Sequence, residues 1–171
     1  MHLPLLLLFR LQSPAQADAG SASFVAAQHW IGTPYQWGGR GTAKNPGLDC
    51  LGLMFRGVAA ATGASWTRFP VDPSKIVASG ALGQPVPGLA GVLRGEVDVD
   101  LLHPGDALYF LLADYEIRDA PLWVSADVRY WPWHTALYAD AGDVLHAAPG
   151  GVVRRQPLAE IAWDALYVTR L

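Results

Sequence analysis

The chain has 171 residues, which fits one domain, and 51% of them are hydrophobic, enough for a substantial buried core. The formal net charge is −3 and the sequence contains no run of Lys and Arg, so a nucleic-acid partner is not expected. Cys50 is the only cysteine, which excludes an internal disulfide and a cysteine-rich zinc site. It is either a small buried apolar residue or a reactive thiol.

The N-terminal segment has the pattern of an export signal. Residues 3–9 form an apolar run that is too short to span a bilayer, so stable membrane insertion is not expected. Small residues follow, and the triplets AQA (15–17) and ADA (17–19) are typical of cleavage sites. No Lys or Arg precedes the run, and an ordinary extension is the alternative reading. We predict a signal peptide over residues 1–19, a periplasmic or extracellular location, and one domain over residues 20–171.

The first predicted helix covers residues 21–32, where apolar side chains recur at helical spacing. Ser21 or Ser23 is the expected N-cap, and Gly32 ends the segment. Residues 33–47 are rich in Gly and Pro and are predicted to form a loop.

A second helix is predicted directly after this loop. Asp49 is a favourable N-cap, which makes Cys50 the first helical residue, and Gly63 is a natural C-terminal stop. One apolar stripe runs along the helix, formed by Leu51, Met54, Val58 and Ala61.

The second half of the chain predicts mainly strands. Residues 64–100 are rich in Gly and Pro and indicate no clear element beyond a helix near Pro73–Gly80. Residues 113–133 are interpreted as an insertion loop that carries several aromatic side chains. Helices that precede an antiparallel run of strands are typical of an α+β fold. The predicted strand-forming segments are 101–112, a hairpin over 134–148, 151–158 and 163–171.

The predicted position of Cys50 favours chemistry. A helix N-terminus carries free N–H groups and the positive end of the helix dipole, which together lower the pKa of a thiol. The same N–H groups can stabilise a developing oxyanion. Acyl transfer by a thiolate also requires a base within hydrogen-bond reach and a third group that orients the base.

The predicted hairpin supplies two candidate histidines. If its turn is the three-residue loop 140–142, with Gly142 in the left-handed conformation, Ala136 pairs with His146. His134 and His146 then share one sheet face as diagonal neighbours, roughly 7–8 Å apart at the backbone. A two-residue turn would place them on opposite faces and would set Asp140 against a second aspartate. The first register gives a base, His134, and an orienting imidazole, His146.

These two histidines also have other interpretations. They are plain surface residues of a hairpin if Cys50 is disregarded. A metal site is less favoured, because no carboxylate or further histidine has ligand spacing beside them.

The motifs together resemble the NlpC/P60 family of papain-like cysteine peptidases. The stretch WIGTPYQWGGRGTAKNPGLDCLGL is similar to the family's GTPYxWGG loop leading into DCSGL at a helix start. LLHPGDALYF resembles its PGD turn before a strand, and HTALYADAGDVLHAAP resembles its HVGIY and IHA hairpin. The four motifs occur in the family's order from about residue 24 to the C-terminus.

The resemblance implies a fold in which N-terminal helices carrying Cys50 pack on an antiparallel sheet carrying the histidines. It implies Cys50 as nucleophile, His134 as base and His146 as its orienting partner. Tyr35 would help to bind the oxyanion, and Asp49 would help to hold a substrate amine as well as cap the helix. The implied substrate is a peptidoglycan stem peptide, cleaved between D-glutamate and the diamino acid. No metal or organic cofactor is implied.

The sequence also departs from the family's pattern. Leu51 replaces the usual serine after the cysteine, so recognition of a free peptide amine stays open. Trp123, Tyr130, Trp131 and Trp133 of the insertion either line the cleft or pack the insertion itself. Alternative functions are a wall peptidase of phage tails or gene-transfer particles, a muramoyl amidase, a secreted toxin of the same chemistry, and an inactive wall-binding or assembly module.

Overall fold

The computed structural model describes residues 18–115 and 119–171. The predicted signal peptide and both candidate cleavage triplets fall mainly on residues 1–17, which lie outside this range. Within the described ranges, no helix is both long and apolar enough to cross a membrane.

Three helices precede most of the sheet: α1 (Ala19–Gln28), α2 (Cys50–Thr62) and α3 (Pro73–Ser79). The side chain of Asp18 caps α1 by accepting a hydrogen bond from Ser21 N, so the prediction of a serine cap was wrong. Helix α1 also ends four residues before Gly32, because the chain turns there toward the following loop. The predicted helix near Pro73–Gly80 is confirmed, with Gly80 in the left-handed conformation at its end.

In the described part of the chain, seven strands form one open antiparallel sheet in the order β1-β7-β2-β4-β5-β6, with β3 paired to β4. The fold is therefore α+β, as predicted. Four short 3-10 helices lie between the larger elements: Trp66–Arg68, Arg94–Glu96, Val99–Leu101 and Leu158–Glu160. The strands are β1 (Gln84–Leu93), β2 (Ala107–Ala113), β3 (Trp123–Ser125), β4 (Val128–Tyr138), β5 (Asp143–Ala147), β6 (Val153–Pro157) and β7 (Ala165–Arg170).

Two strands were absent from the sequence-based prediction. Strand β1 lies at the edge of the sheet and contains two prolines and two glycines, with irregular register against β7. Pro and Gly are tolerated there because an edge strand leaves some N–H groups unpaired. Strand β3 forms a tight hairpin with β4 through Ala126 and Asp127, both in the left-handed region. Residues 123–125 and 128–133 are thus paired strand structure, so the interpretation of the whole of 113–133 as an insertion loop was wrong.

The sheet has a buried core on each face. One core contains α2 residues such as Leu53 and Phe55 packed against Leu137 and Leu145. The other core lies on the opposite face, because successive side chains of a strand point to opposite faces. It contains Leu108, Phe110, Ala136, Tyr138 and Val144. Neighbouring residues of β4 therefore face different layers of the protein.

Candidate active site

Cys50 is the first residue of α2, at the position that the sequence predicts. Asp49 caps the helix: its Oδ1 accepts a hydrogen bond of 2.6 Å from Gly52 N. A Cβ atom at Gly52 would lie 2.1 Å from the carbonyl oxygen of Gly39. Glycine at position 52 thus allows the preceding loop to pack directly on the helix N-terminus, which holds the backbone around Cys50 in place.

The carboxylate of Asp49 has three donors. Besides Gly52 N, Oδ1 accepts from Arg40 Nη1 at 2.6 Å, and Oδ2 accepts from Gly38 N at 3.0 Å. The residue is only 7% exposed. Asp49 therefore joins the helix to the 33–47 loop, and a substrate amine would have to compete with the guanidinium of Arg40.

The hairpin has the predicted register. Leu137 pairs with Leu145 and Tyr138 with Val144, which is the alignment given by a three-residue loop over 140–142. Gly142 is in the left-handed region, as expected, and so is Ala141. His134 and His146 are both buried, and His134 Nε2 lies 2.7 Å from His146 Nδ1. The structure thus brings the two imidazoles into direct hydrogen bonding.

Cys50 and His134 line the same cavity, of about 370 Å³. The paired residues of β4 and β5 end at Leu137 and Leu145, so the two strands separate on the side toward His134. Among the hydrogen bonds of the described residues, none joins the Cys50 thiol to His134. The rest of the lining is largely apolar and consists of Trp37, Gly38, Arg40, Asp49, Leu51, Val71, Pro73, Asp119, Pro132, Trp133 and Thr135.

Burial of the sulfur is the main influence on the pKa of the Cys50 thiol. It raises the pKa of the Cys50 thiol, and the negative charge of Asp49 raises it further. The Thr135 hydroxyl and the N–H of Leu51 act in the opposite direction, but they are weaker than the loss of solvent around the sulfur of Cys50, a half-buried residue in the cavity wall. The helix N-terminus therefore does not lower the thiol pKa below its ordinary value, contrary to the expectation from position alone.

Burial also keeps the imidazoles neutral. It lowers the pKa of His134 to about 3, with a further contribution from His146. Burial likewise lowers the pKa of His146, the hydrogen bond to Gln156 raises it, and the charge of Arg154 lowers it. These shifts favour a neutral thiol and two neutral imidazoles at neutral pH.

Tyr35 is partly buried and packs against the core that contains α2. Its backbone N–H donates to Gly151 O at 2.8 Å, which joins the loop to the start of β6. Burial raises the pKa of the Tyr35 hydroxyl, and the nearby Cys50 and Asp49 raise it further. The side chain is thus near the thiol, although it does not line the cavity.

The aromatic side chains of the 113–133 segment mostly pack within the protein. Trp123 and Tyr130 form a pair with ring centroids 4.7 Å apart. Trp131 is buried and donates from Nε1 to Asp119 O at 3.0 Å. Trp133 alone among the four lines the cavity, and its Nε1 donates to Ala162 O at 2.9 Å.

The sequence-based predictions did not include Trp37 and Thr135 as residues of the cavity. Trp37 lies in the glycine-rich loop and is 85% exposed at the cavity rim. Thr135 is buried, and apart from its effect on the Cys50 thiol its hydroxyl has no hydrogen-bond partner among the described residues. The motif HTALY carries a signal for Thr135, because the family pattern has an apolar valine there.

No protein-family model matches the chain, and no curated protein matches it significantly. Several solved structures, however, are similar to it. One is RipD of Mycobacterium tuberculosis, which is described as a non-catalytic NlpC/p60 domain protein adapted to peptidoglycan binding. It is 18% identical to this chain with a TM-score of 0.53, and the match covers 91% of this chain and 99% of RipD. The P60 domain of antigen MAP1204 from M. avium subspecies paratuberculosis is 20% identical with a TM-score of 0.54, covering 89% and 93%.

The NlpC/p60 domain of the peptidoglycan hydrolase SagA is 21% identical with a TM-score of 0.51, covering 89% of this chain and 98% of that one. These similarities extend over nearly the whole domain rather than over one motif. The chain therefore has the fold of an NlpC/p60 domain, as the motifs predict.

Proposed function

We propose that this protein is a cysteine peptidase of the NlpC/P60 type that hydrolyses an amide bond in peptidoglycan stem peptides. One observation carries the proposal: Cys50 and His134 line one cavity, and the Nε2 atom of His134 lies 2.7 Å from Nδ1 of His146. A thiol, a base and an orienting group in this order are the parts that thiol-dependent acyl transfer requires. The neighbour SagA, described as a peptidoglycan hydrolase, indicates the class of substrate.

In the proposed mechanism, His134 Nδ1 takes the thiol proton while Cys50 Sγ bonds to the amide carbon. The N–H of Cys50, assisted by Tyr35, stabilises the oxyanion. The intermediate collapses when the C–N bond breaks and His134 returns its proton to the leaving amine. Water then attacks the thioester, gives a proton to His134, and releases the carboxylate product and the Cys50 thiol.

The proposed substrate is cleaved between D-glutamate and the diamino acid, without recognition of a free amine by Asp49. Three hydrogen bonds already occupy the Asp49 carboxylate, and Leu51 replaces the hydroxyl that would assist it. The exposed Trp37 and Val71 instead offer an apolar wall for the substrate backbone and aliphatic groups. We expect N-acetylated and free stem peptides to be cleaved at rates within about threefold of each other.

The proposed location is outside the cytoplasm, where peptidoglycan is found, after removal of a leader within residues 1–19. Cleavage after Ala17 would retain Asp18, the cap of α1, whereas cleavage after Ala19 would remove it. We therefore favour the first triplet. N-terminal sequencing of the exported protein tests this choice, and a start at Gly20 would contradict it.

The second candidate function is a wall-binding module without turnover. The neighbour RipD is described as non-catalytic, and here desolvation raises the pKa of the Cys50 thiol. An inactive module would bind peptidoglycan equally well with Cys50 intact or replaced, and would release no soluble peptide.

The decisive experiment is digestion of purified peptidoglycan followed by mass spectrometry of the soluble products. Wild type is expected to release fragments cut inside the peptide, and Cys50→Ala is expected to release none while unfolding at the same urea concentration. His103→Ala, at an exposed histidine, is the matched control and is expected to retain full activity. Intact peptides detached from the sugar would indicate a muramoyl amidase, and no product from wild type would favour the binding module.

A further inference from the structure

The orienting histidine has two further neighbours on strand β6. His146 Nε2 lies 3.1 Å from Gln156 Oε1, and Arg154 Nη2 donates to the same oxygen at 2.9 Å. The β5–β6 register explains this arrangement, because His146 pairs with Arg154 and Val144 with Gln156. Residues 154 and 156 therefore face the same side of the sheet as the histidine pair.

These contacts determine the direction of every hydrogen bond in the row. A guanidinium only donates, so the Gln156 atom facing Arg154 is the amide oxygen. An amide oxygen only accepts, so His146 Nε2 carries a proton. A neutral imidazole has a single N–H, which leaves His146 Nδ1 as an acceptor for His134 Nε2–H. The remaining nitrogen of His134, Nδ1, then has a free lone pair.

The opposite orientation would disable the base. If the Gln156 amide turned over, its NH₂ group would donate to His146 Nε2, and His146 Nδ1 would carry the proton. His134 Nε2 would then accept that hydrogen bond, and Nδ1 would be protonated in the neutral ring. Such a ring cannot take a proton from the thiol at Nδ1, so a single amide rotation separates a competent tautomer from an incompetent one.

We propose that Arg154 and Gln156 are positioning residues that select the tautomer of His134. Arg154 holds the Gln156 oxygen toward His146, and the two histidines transmit that choice to His134 Nδ1, the nitrogen that His146 leaves free. The tautomer claim stands on the hydrogen-bond geometry alone, whereas its effect on turnover rests on the proposed function. Neither residue touches the substrate in this scheme.

The test is the imidazole ¹⁵N spectrum of the full protein at about pH 8, where even a solvent-exposed histidine is largely neutral. Wild type is expected to show protonated Nε2 and unprotonated Nδ1 for His134. Arg154→Ala is expected to give a mixture of both tautomers. Arg155→Ala is the matched control: it removes the neighbouring arginine, which pairs with Asp140 instead, and is expected to leave the spectrum unchanged.

Testing Arg154→Ala a second time in a protein that already carries Gln156→Glu shows whether Arg154 acts through the orientation of the Gln156 amide. A carboxylate only accepts at this pH, so its orientation no longer depends on Arg154. Adding Arg154→Ala to Gln156→Glu is therefore expected to leave the His134 tautomer unchanged, although the same substitution alters it in the wild-type background. If Arg154→Ala gives the wild-type tautomer, or disturbs both backgrounds equally, the proposal is overturned.

Kinetics measured on peptidoglycan peptides separate this proposal from the proposed function. Arg154→Ala is expected to lower kcat by about tenfold with little change in KM, as for other partners of an active-site histidine. Restoration of kcat by Arg154→Lys, which keeps a donor, supports the proposal. A wild-type protein that shows the expected tautomer but no turnover would contradict the proposed function and leave the tautomer selection standing. Unchanged kcat in Arg154→Ala would overturn the positioning role.

Discussion

Asp49 and Arg40 form an ion pair of 2.6 Å at the N-terminus of the helix that carries Cys50. The pair links the glycine-rich loop to the helix, and both side chains are largely buried. Cys50 is thus positioned by contacts of its preceding residue, and the same contacts already occupy the Asp49 carboxylate.

Asp49→Ala is expected to destabilise the protein by about 3 kcal/mol, since it removes a helix cap and leaves Arg40 without its counter-ion. Urea unfolding measures the effect. Asp72→Ala removes the cap of α3, where Asp72 Oδ1 accepts from Ser74 N at 2.9 Å, and serves as the control. The only cationic partner of that cap among the described residues is the exposed Lys75, at 3.5 Å, so its loss should cost only about 1 kcal/mol. Equal losses in the two variants would contradict the role assigned to the Asp49–Arg40 pair.

Thr135→Val is expected to raise the pKa of Cys50 still further without destabilising the fold. The Thr135 hydroxyl lowers that pKa through its position beside the Cys50 sulfur. It makes no hydrogen bond to any other group of the described residues, so its removal should not disturb the rest of the fold. The rate of iodoacetamide labelling against pH measures the thiol pKa. Thr169→Val is the control, because Thr169 donates to Leu82 O at 2.6 Å and its loss should cost about 1 kcal/mol. An unchanged labelling profile in Thr135→Val would show that the hydroxyl does not act on the thiol.

Wild-type Cys50 is expected to label slowly at neutral pH and to accelerate only above the ordinary pKa of a free thiol, about 8.5. His134→Ala should leave this profile nearly unchanged, because the free site holds a neutral thiol and a neutral imidazole. Fast labelling in acid that depends on His134 would instead reveal a thiolate–imidazolium pair in the resting protein. That result would contradict the protonation state derived from burial.

Stability is expected to fall as the pH is lowered from about 6.5 toward 3. The pKa of His134 is about 3 in the folded protein, below its unfolded value of 6.5, so the unfolded state binds more protons in this window. The contribution of neutral His134 to the free energy of unfolding is fully present above pH 6.5, its pKa in the unfolded chain, and is lost as the pH falls toward about 3, its pKa in the folded protein. Urea midpoints at several pH values measure it. His134→Phe should flatten the dependence, His29→Ala at an exposed position should not, and equal slopes in all three proteins would contradict the prediction.

Trp37→Ala is expected to raise KM for peptidoglycan peptides by about tenfold with little change in kcat or stability. Its side chain is 85% exposed at the cavity rim, so little packing is lost when it is removed. Ile31→Ala, at another exposed apolar residue 52% accessible to solvent, is the control for surface hydrophobicity. A loss of stability in Trp37→Ala without a change in KM would assign Trp37 a structural role instead.

Several features followed from the sequence alone because they depend on neighbours along the chain. Asp49 and Gly63 define the ends of α2 through a cap and a left-handed residue. The three-residue loop sets the hairpin register, which places His134 and His146 on one face. Motif order also predicted the fold that the solved neighbours share.

Other features required the tertiary structure because they join distant segments or depend on burial. Strand β1 is stabilised at the sheet edge by β7, about eighty residues later, despite its own unfavourable composition. The contact of Gln156 with His146 depends on the β5–β6 register, which no local motif encodes. The raised pKa of Cys50 is the clearest case. Sequence position puts the thiol at the positive end of a helix, but the desolvation that outweighs the dipole exists only when the sheet encloses the sulfur.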